Sequence, residues 1–81
     1  MWWVYIIETE SGSYYTGVAK DVNLRFRQHK GELKGGAKFF RSNPPSLLLY
    51  LKKYKNRSEA QKVEWNIKQL TRLQKEELIF S

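Results

Sequence analysis

The 81-residue sequence contains no cysteine, which excludes disulfide bonds and thiolate metal sites and fits a reducing compartment. It also has no long hydrophobic run. The apolar stretch at residues 2–7 is too short for a spanning helix and lacks the basic lead of a signal peptide. Internal repeats and low-complexity segments are absent as well. We therefore expect a single domain over residues 1–81, located in the cytoplasm and not associated with a membrane.

Acidic residues are scarce in the middle of the chain. The net charge is +7, from 15 basic and 8 acidic residues. Residues 20–57 hold eleven Lys or Arg but only Asp21 and Glu32, so this segment has a net charge of +9 (eleven minus two). Such an uneven distribution indicates a surface that faces phosphate groups, and nucleic acid is the expected partner. The alternative is a basic face that only keeps the protein in solution.

Two strands are predicted near the N-terminus. Residues 2–8 are apolar, aromatic and β-branched, which is typical of an interior strand covered on both faces. Residues 13–18 follow a turn and are rich in Tyr and Thr, so the two segments should form an antiparallel hairpin. Alternation places Tyr5 on one face of the first strand and Tyr15 with Gly17 on one face of the second. Whether these faces coincide depends on the register, which the pattern leaves open.

A helix and a long loop should follow the hairpin. Asp21 can cap a helix that begins near Val22. On that helix Arg25 and His29 are four residues apart and lie at the edge of an apolar stripe. Residues 31–46 contain three glycines and two prolines, which predicts a loop that can open with a helical turn.

The last third of the chain predicts one strand and two helices. Residues 47–51 are apolar and form the third strand. Capping boxes begin at Ser58 and Thr71, and the second helix should end at about Ile79. Glu64 lies at the edge of the buried stripe of the first of these helices. The order is β-β-α-β-α-α, an α+β fold with a small three-stranded antiparallel sheet flanked by helices.

Five residues together supply two phenols, a guanidinium, an imidazole and a carboxylate. These groups can hold a phosphodiester, bind one divalent metal and transfer protons; they are Tyr5, Tyr15, Arg25, His29 and Glu64. Taken singly, the tyrosines can be core aromatics, the arginine an amphipathic stem and the histidine structural. The carboxylate is costly beside an apolar stripe unless it is paired or binds a metal, and Lys68 is its candidate ion-pair partner.

The order and spacing of these five residues resemble the GIY-YIG nuclease domain, in particular its small stand-alone bacterial members, called the UPF0213 group. The resemblance covers nearly the whole chain and includes the run Tyr15-Thr16-Gly17. The first motif begins with Trp3 where the family name has glycine, and Thr16 stands where the name has isoleucine. Both differences fall at strand positions and not at the residues that carry the chemistry.

The resemblance implies a GIY-YIG-like fold and a metal-dependent endonuclease that hydrolyses phosphodiester bonds in DNA. It implies that Tyr5 and Arg25 lie beside the scissile phosphate and that Tyr15 and His29 complete the proton and phosphate contacts. It also implies that Glu64 binds a single divalent metal, and a hard oxygen ligand suits Mg²⁺ or Mn²⁺. Larger relatives often add a recognition domain, so selection by structure rather than by sequence is expected here.

Several assignments stay open at this point. A phenol with an ordinary pKa of about 10 is a poor base, so cations must lower the pKa of Tyr5 or His29 must share its task. Candidate contacts to nucleic acid are Gly17, Lys20, Lys38 and Arg41, although loop lysines are commonly just solvated. Trp65 can stack on a base or pack under the last helix, and packing is favoured. The alternative function is a non-catalytic nucleic-acid-binding module on the same fold, with RNA as one ligand.

Overall fold

The computed structural model describes residues 1–81. It contains a three-stranded sheet and four helices, of which one is only a single turn. The elements are β1 (Trp2–Thr9), β2 (Tyr14–Ala19), α1 (Val22–His29), α2 (Phe39–Ser42), β3 (Pro45–Tyr54), α3 (Arg57–Lys68) and α4 (Arg72–Phe80). Apart from the short α2, this is the predicted β-β-α-β-α-α order, and the α+β fold is confirmed.

Strand β1 is the central strand of the sheet. The strand order is β2-β1-β3, and both pairings are antiparallel. Four successive residues of β1, from Val4 to Ile7, are buried. Because both faces of a central strand are covered, successive side chains must all be apolar. The prediction of an interior strand at residues 2–8 is therefore confirmed.

Strand β3 is longer and more exposed than the prediction of residues 47–51. It runs from Pro45 to Tyr54 and forms an edge of the sheet. An edge strand can start with proline, which donates no hydrogen bond. It can also continue through Lys52 and Lys53, since their side chains reach water; these residues pair with Val4 and Trp3. The apolar run alone set the predicted limits too narrowly.

The two faces of the sheet carry separate cores. One core contains Tyr5 and Ile7 and packs against Val22 of α1 and Phe40 of α2. The other contains Val4 and Ile6 and packs against α3 and α4; its helix residues include Ala60, Ile67, Leu78 and Ile79. Alternation along β1 thus sends neighbouring residues to opposite faces. Helix α1, with Arg25 and His29, and helix α3, with Glu64, lie on opposite sides of the sheet.

Helix caps follow the predictions in two of three cases. Asp21 caps α1, and the capping box that begins at Thr71 is present in α4. The predicted cap Ser58 is wrong, because α3 begins at Arg57 with Asn56 as its cap. The side chain of Asn56 accepts a hydrogen bond from the backbone N–H of Glu59 at 2.9 Å. Asn56 offers a side-chain oxygen as acceptor, as Ser58 would, but lies two residues earlier in the chain.

The predicted loop at residues 31–46 contains one helical turn that was not expected there. Helix α2 covers Phe39–Ser42, whereas the start of the segment is not helical. Phe40 is buried in the core beside Tyr5. Burial of this ring stabilises a turn that local propensity does not favour. Glycine and proline content therefore predicted the loop but could not show that Phe40 belongs to the core.

Candidate active site

The register of the hairpin brings Tyr5 and Tyr15 to the same face. Tyr5 pairs with Gly17, and Ile7 pairs with Tyr15. The ring of Tyr5 extends over Gly17: a Cβ atom at this glycine would overlap the phenol oxygen and lie 2.5 Å from Cζ. The Tyr5 side chain is only 1% exposed, so its hydroxyl lies below the protein surface, next to the edge strand β2. Gly17 was predicted to contact phosphate, but it is buried and its structural task is to make room for Tyr5.

Replacing Gly17 by alanine should displace the Tyr5 ring. Forcing an extra methyl into a filled space costs about 1–3 kcal/mol, so we expect urea unfolding to show a loss of stability of this size. In a Tyr5→Leu background the ring atoms that meet the methyl are gone, and the cost should largely disappear. An equal loss in both backgrounds would show that the contact with Tyr5 does not limit this position.

His29 holds the Tyr5 hydroxyl in place. Its Nε2 atom lies 2.8 Å from the phenol oxygen in a buried hydrogen bond. Its other ring nitrogen, Nδ1, accepts the backbone N–H of Ala37 at 3.2 Å. A backbone N–H can only donate, so Nδ1 carries no proton, and the proton of a neutral imidazole lies on Nε2. His29 therefore donates to Tyr5, and the proton of the phenol itself points elsewhere.

The electrostatic surroundings keep His29 neutral. Burial, and to a smaller extent the positive charge of Arg25, lowers the pKa of this imidazole to about 4. A neutral ring whose Nε2 already carries the proton cannot accept another proton there at pH 7. This arrangement disfavours the idea that His29 shares the task of a base, and it favours a role in positioning Tyr5.

The same burial predicts that the protein becomes less stable in mild acid. In the unfolded chain, His29 binds a proton below about pH 6.5, whereas the folded protein binds one only below about pH 4. The neutral state of His29 therefore contributes about 3 kcal/mol to the free energy of unfolding above about pH 6.5. This contribution is lost as the pH falls towards 4. Urea unfolding from pH 4 to pH 8 should show this slope. It should be missing in His29→Gln, which cannot titrate, and an identical pH dependence in both proteins would contradict the assignment.

The pKa of Tyr5 is raised, not lowered. Burial is the main cause, the nearby Tyr15 adds to it, and Arg25 opposes it without offsetting it. The negative charge of Glu64 also raises the pKa, but it is the smallest of these causes. At neutral pH the hydroxyl of Tyr5 is therefore protonated. Its oxygen accepts from His29, and its O–H is left to donate to another group.

Arg25 is oriented by neutral groups only. Its Nη1 atom donates to the side-chain oxygen of Gln28 at 3.1 Å and to the carbonyl of Gly35 at 2.5 Å. None of the ion pairs in the structure involves it. Its positive charge is therefore available to an anion. Gly35 and Ala37 hold Arg25 and His29 respectively, so the segment between α1 and α2 positions two residues of the site.

Close packing of this segment against α1 explains why residue 36 is a glycine. A Cβ atom at Gly36 would overlap the backbone carbonyl of Gln28, and a backbone atom cannot move aside as a flexible side chain can. The segment approaches α1 closely because Gly36 lacks a side chain. The sequence analysis counted this glycine only among the three glycines of the predicted loop and missed its contact.

Glu64 approaches from the opposite face of the sheet. Its side chain is 21% exposed and pairs with Lys68 Nζ at 3.3 Å, as the i,i+4 alternative predicted. Helix pairs of this kind contribute only about 0.3–0.5 kcal/mol. The carboxylate can therefore exchange Lys68 for a metal ion at little cost. No group of three or more His, Cys, Asp or Glu side chains forms a metal cage. A single carboxylate that reaches water suits a hydrated hard cation.

Tyr15 belongs to an aromatic cluster that forms one wall of the site. Its ring centroid lies 5.3 Å from that of His29, 4.6 Å from that of Phe40 and 5.6 Å from that of Phe39. Its hydroxyl has no hydrogen bond within the protein, although it is not a buried unsatisfied group. Tyr15 thus packs as a core aromatic and also leaves its hydroxyl free for a ligand.

The predicted lysine and arginine contacts do not all lie beside this cluster. Arg41 lines a cavity of about 590 Å³ that His29 also borders. Lys38 is exposed at the start of α2. The Lys20 ammonium lies 5.7 Å from the Trp2 ring centroid, and Trp2 belongs to the other face of the sheet. The cavity adds two cations that sequence reasoning did not single out, namely Lys30 and Lys34.

Comparison with known proteins identifies the family. The GIY-YIG catalytic domain model matches residues 1–77. The chain belongs to the GIY-YIG family. The UPF0213 protein of Staphylococcus aureus is similar, with 46% identity over 77 residues, which cover 94% of this chain and 90% of the relative. A UPF0213 protein of Halobacterium salinarum is 43% identical over 75 residues, which cover 93% and 95% of the two chains.

A solved structure agrees with this identification. The solution NMR structure of the UPF0213 protein BH0048 from Bacillus halodurans matches this GIY-YIG domain with a TM-score of 0.61 and 37% identity. The match covers 98% of this chain and 83% of that one. The resemblance inferred from five residues and their spacing is thus confirmed. The GIY-YIG domain is a nuclease domain, which implies interaction with nucleic acid in general.

No helix of this GIY-YIG domain combines the length and the apolar character needed to cross a membrane.

Proposed function

We propose that this GIY-YIG domain is a divalent-metal-dependent endonuclease that hydrolyses phosphodiester bonds in DNA and selects its site by structure rather than by sequence. The observation that carries the proposal is the environment of one phenol. Tyr5 is held by His29 at 2.8 Å, and Arg25, one turn earlier on the same helix, has no ion-pair partner. This chemistry acts on the phosphate and does not require a group that recognises a particular base.

Arg25 is the residue that would hold the scissile phosphate. Its guanidinium stays charged at any useful pH and can donate to two phosphate oxygens at once. Its present partners, Gln28 and Gly35, are neutral acceptors that orient the group without cancelling its charge. Charge that develops on the phosphate during hydrolysis would therefore meet a fixed cation.

Tyr5 would orient the attacking water. The hydrogen bond from His29 fixes the phenol oxygen, and the raised pKa keeps the O–H protonated at neutral pH. Tyr5 is only 1% exposed, so contact between its hydroxyl and a water molecule beside the phosphate that Arg25 holds requires the covering side chains to move when substrate binds. Tyr15 has a free hydroxyl in the same aromatic cluster and would complete the phosphate contacts.

Glu64 would hold Mg²⁺ or Mn²⁺. Its single partly exposed carboxylate supports a site in which water and substrate oxygens complete the ligand shell. Mg²⁺ and Mn²⁺ prefer such oxygen ligands more strongly than Zn²⁺ does. A bound ion of this kind neutralises phosphate charge and stabilises the leaving oxygen. Glu64 lies on α3 and Tyr5 points across β2, so we infer that the two groups serve one centre at the free edge of β2.

The cavity beside His29 supports contact with the sugar-phosphate backbone. Its basic residues Lys30, Lys34 and Arg41 can neutralise phosphates, and such contacts carry no sequence information. This supports a nuclease that recognises the shape of its substrate. Of the five candidate site residues, only His29 lines this cavity.

Plasmid nicking tests the proposal. Purified protein should convert supercoiled plasmid to the open circle in Mg²⁺ or Mn²⁺ but not in EDTA. Arg25→Ala should lower the rate by about 10²-fold, because one preorganised donor of transition-state charge is lost. Arg27→Ala is the matched control, since this exposed arginine lies on the same helix. No nicking by the unaltered protein, or equal rates for the two variants, would refute the proposal.

A non-catalytic nucleic-acid-binding module remains the second candidate function. The observation in its favour is that Glu64 already pairs with Lys68 and that no cluster of three metal-binding side chains exists. This module would bind with an affinity that falls steeply as salt rises, would not nick plasmid, and would be insensitive to Glu64→Gln.

A further inference from the structure

Trp65 lies on the surface. The sequence favoured packing under the last helix, and that interpretation is wrong. Its side chain is 64% exposed, whereas Ala60 and Ile67 of the same helix are buried. On the helical wheel Trp65 lies almost opposite these two residues, so α3 packs on the sheet without it. A single exposed aromatic is not unusual, and its surroundings must indicate whether it has a task.

The surroundings of Trp65 are polar. A shallow surface cavity of about 450 Å³ combines the indole with a hydroxyl, two carboxamides and an ammonium group; its lining residues are Ser58, Gln61, Lys62, Trp65 and Asn66. Trp65 is the only large apolar side chain among them. The core of a protein–protein interface is usually more apolar than this. These groups match the parts of an unpaired nucleotide. The flat ring can stack on the base, the hydrogen-bonding groups can contact the polar edge of the base, and the cation can contact the phosphate.

The polar cavity and the candidate metal ligand Glu64 lie on the same helix, although Glu64 does not line the cavity. Trp65 directly follows Glu64 in α3, and consecutive helix residues are about 100° apart around the axis. The carboxylate lies at the border between helix and sheet, and the indole lies on the next part of the helix surface. A strand that leaves the active site across α3 would therefore reach Trp65, in a protein of net charge +7.

We propose that Trp65, flanked by Gln61, Lys62 and Asn66, is a stacking platform for one unpaired nucleobase of a DNA strand. This rests on the proposed nuclease function and narrows the substrate to DNA that has an unpaired nucleotide near the cleaved bond. Trp65 supplies the ring surface, the carboxamides supply hydrogen bonds to the base edge, and Lys62 contacts the phosphate.

Binding without cleavage tests the platform. Fluorescence anisotropy in EDTA compares two labelled single strands of equal length, an oligodeoxythymidine and a strand of abasic residues. Both carry the same phosphates, but only the first has bases. The proteins are the unaltered chain, Trp65→Ala, Trp65→Phe and the control Phe80→Ala, which removes an equally exposed ring (68%) from α4.

Trp65→Ala should weaken binding of the oligodeoxythymidine by about 5- to 150-fold, the range found for loss of one base–aromatic stack. Its affinity for the abasic strand should be unchanged. Trp65→Phe should keep most of the affinity, and Phe80→Ala should change neither. Equal losses on the two strands would overturn the proposal. So would no loss on either strand, which is the result expected if Trp65 serves a protein partner.

Plasmid nicking, measured in parallel, separates failure of the platform from failure of the proposed function. Nicking by the unaltered protein together with unchanged binding by Trp65→Ala overturns only the platform. Absence of binding to both strands by the unaltered protein overturns the platform, and absence of nicking overturns the proposed function. Thermal melting by circular dichroism checks each variant, and if Trp65→Ala does not fold, Trp65→Gln replaces it with the same expected loss.

Discussion

Replacing Glu64 by glutamine should lower the rate of plasmid nicking in Mg²⁺ by about 10³-fold or more, since a metal site supplies several kcal/mol of transition-state stabilisation. Glutamine has nearly the same shape but carries no charge. The fold should survive, because the only ion pair lost is the exposed one with Lys68. Gel-based nicking rates and a urea unfolding curve measure the two effects.

Lys68→Ala is the matched control for this experiment. It breaks the same ion pair but leaves the carboxylate in place. If Glu64 matters as a metal ligand, this variant should retain nearly full activity. If Lys68→Ala and Glu64→Gln lose activity to the same extent, the ion pair is what counts, and Glu64 has no role as a ligand.

Replacing Tyr5 by phenylalanine should lower the nicking rate by about 10²- to 10³-fold, the range for loss of one preorganised hydrogen-bonding group at a reacting centre. The ring that fills the core over Gly17 is kept, so packing changes little. The donor Nε2–H of His29 loses its partner, however, and an unsatisfied buried donor costs about 1–3 kcal/mol. We therefore expect a moderate loss of stability together with a much larger loss of rate.

Tyr50→Phe is the control for this variant. Tyr50 pairs with Ile6, packs on the core of the opposite face, and also has a raised pKa because of burial. Loss of its hydroxyl should leave the nicking rate unchanged. If Tyr5→Phe retains the rate of the unaltered protein, the phenol does not act on the substrate and the hydrogen bond with His29 is purely structural.

The fold was largely predictable because its elements carry local signals. The central strand is continuously apolar, Asp21 marks the start of α1, and the box at Thr71 marks the start of α4. Errors occurred where tertiary contacts decide. Phe40 becomes helical because the core buries it, and β3 continues through its lysines because an edge strand gives them access to water.

The site residues could be chosen from the sequence, but their arrangement could not. Spacing identified Tyr5 and His29 as partners in one family pattern. The hydrogen bond between them depends on the hairpin register and on where α1 packs. The direction of that bond depends on Ala37, whose backbone N–H fixes the protonation of the imidazole. No side-chain pattern encodes a backbone N–H in a loop, so this determinant was missed.

The central claim is that Tyr5 and Glu64, which belong to opposite faces of the sheet, serve one metal-dependent centre at the free edge of β2. Titration of the ¹⁵N-labelled protein with Mn²⁺ tests it most directly, because the paramagnetic ion broadens the signals of nearby amides. We predict selective broadening at both Glu64 and Gly17, abolished by Glu64→Gln. Broadening confined to other carboxylates such as Glu8 and Glu10, or unchanged in Glu64→Gln, would contradict the claim.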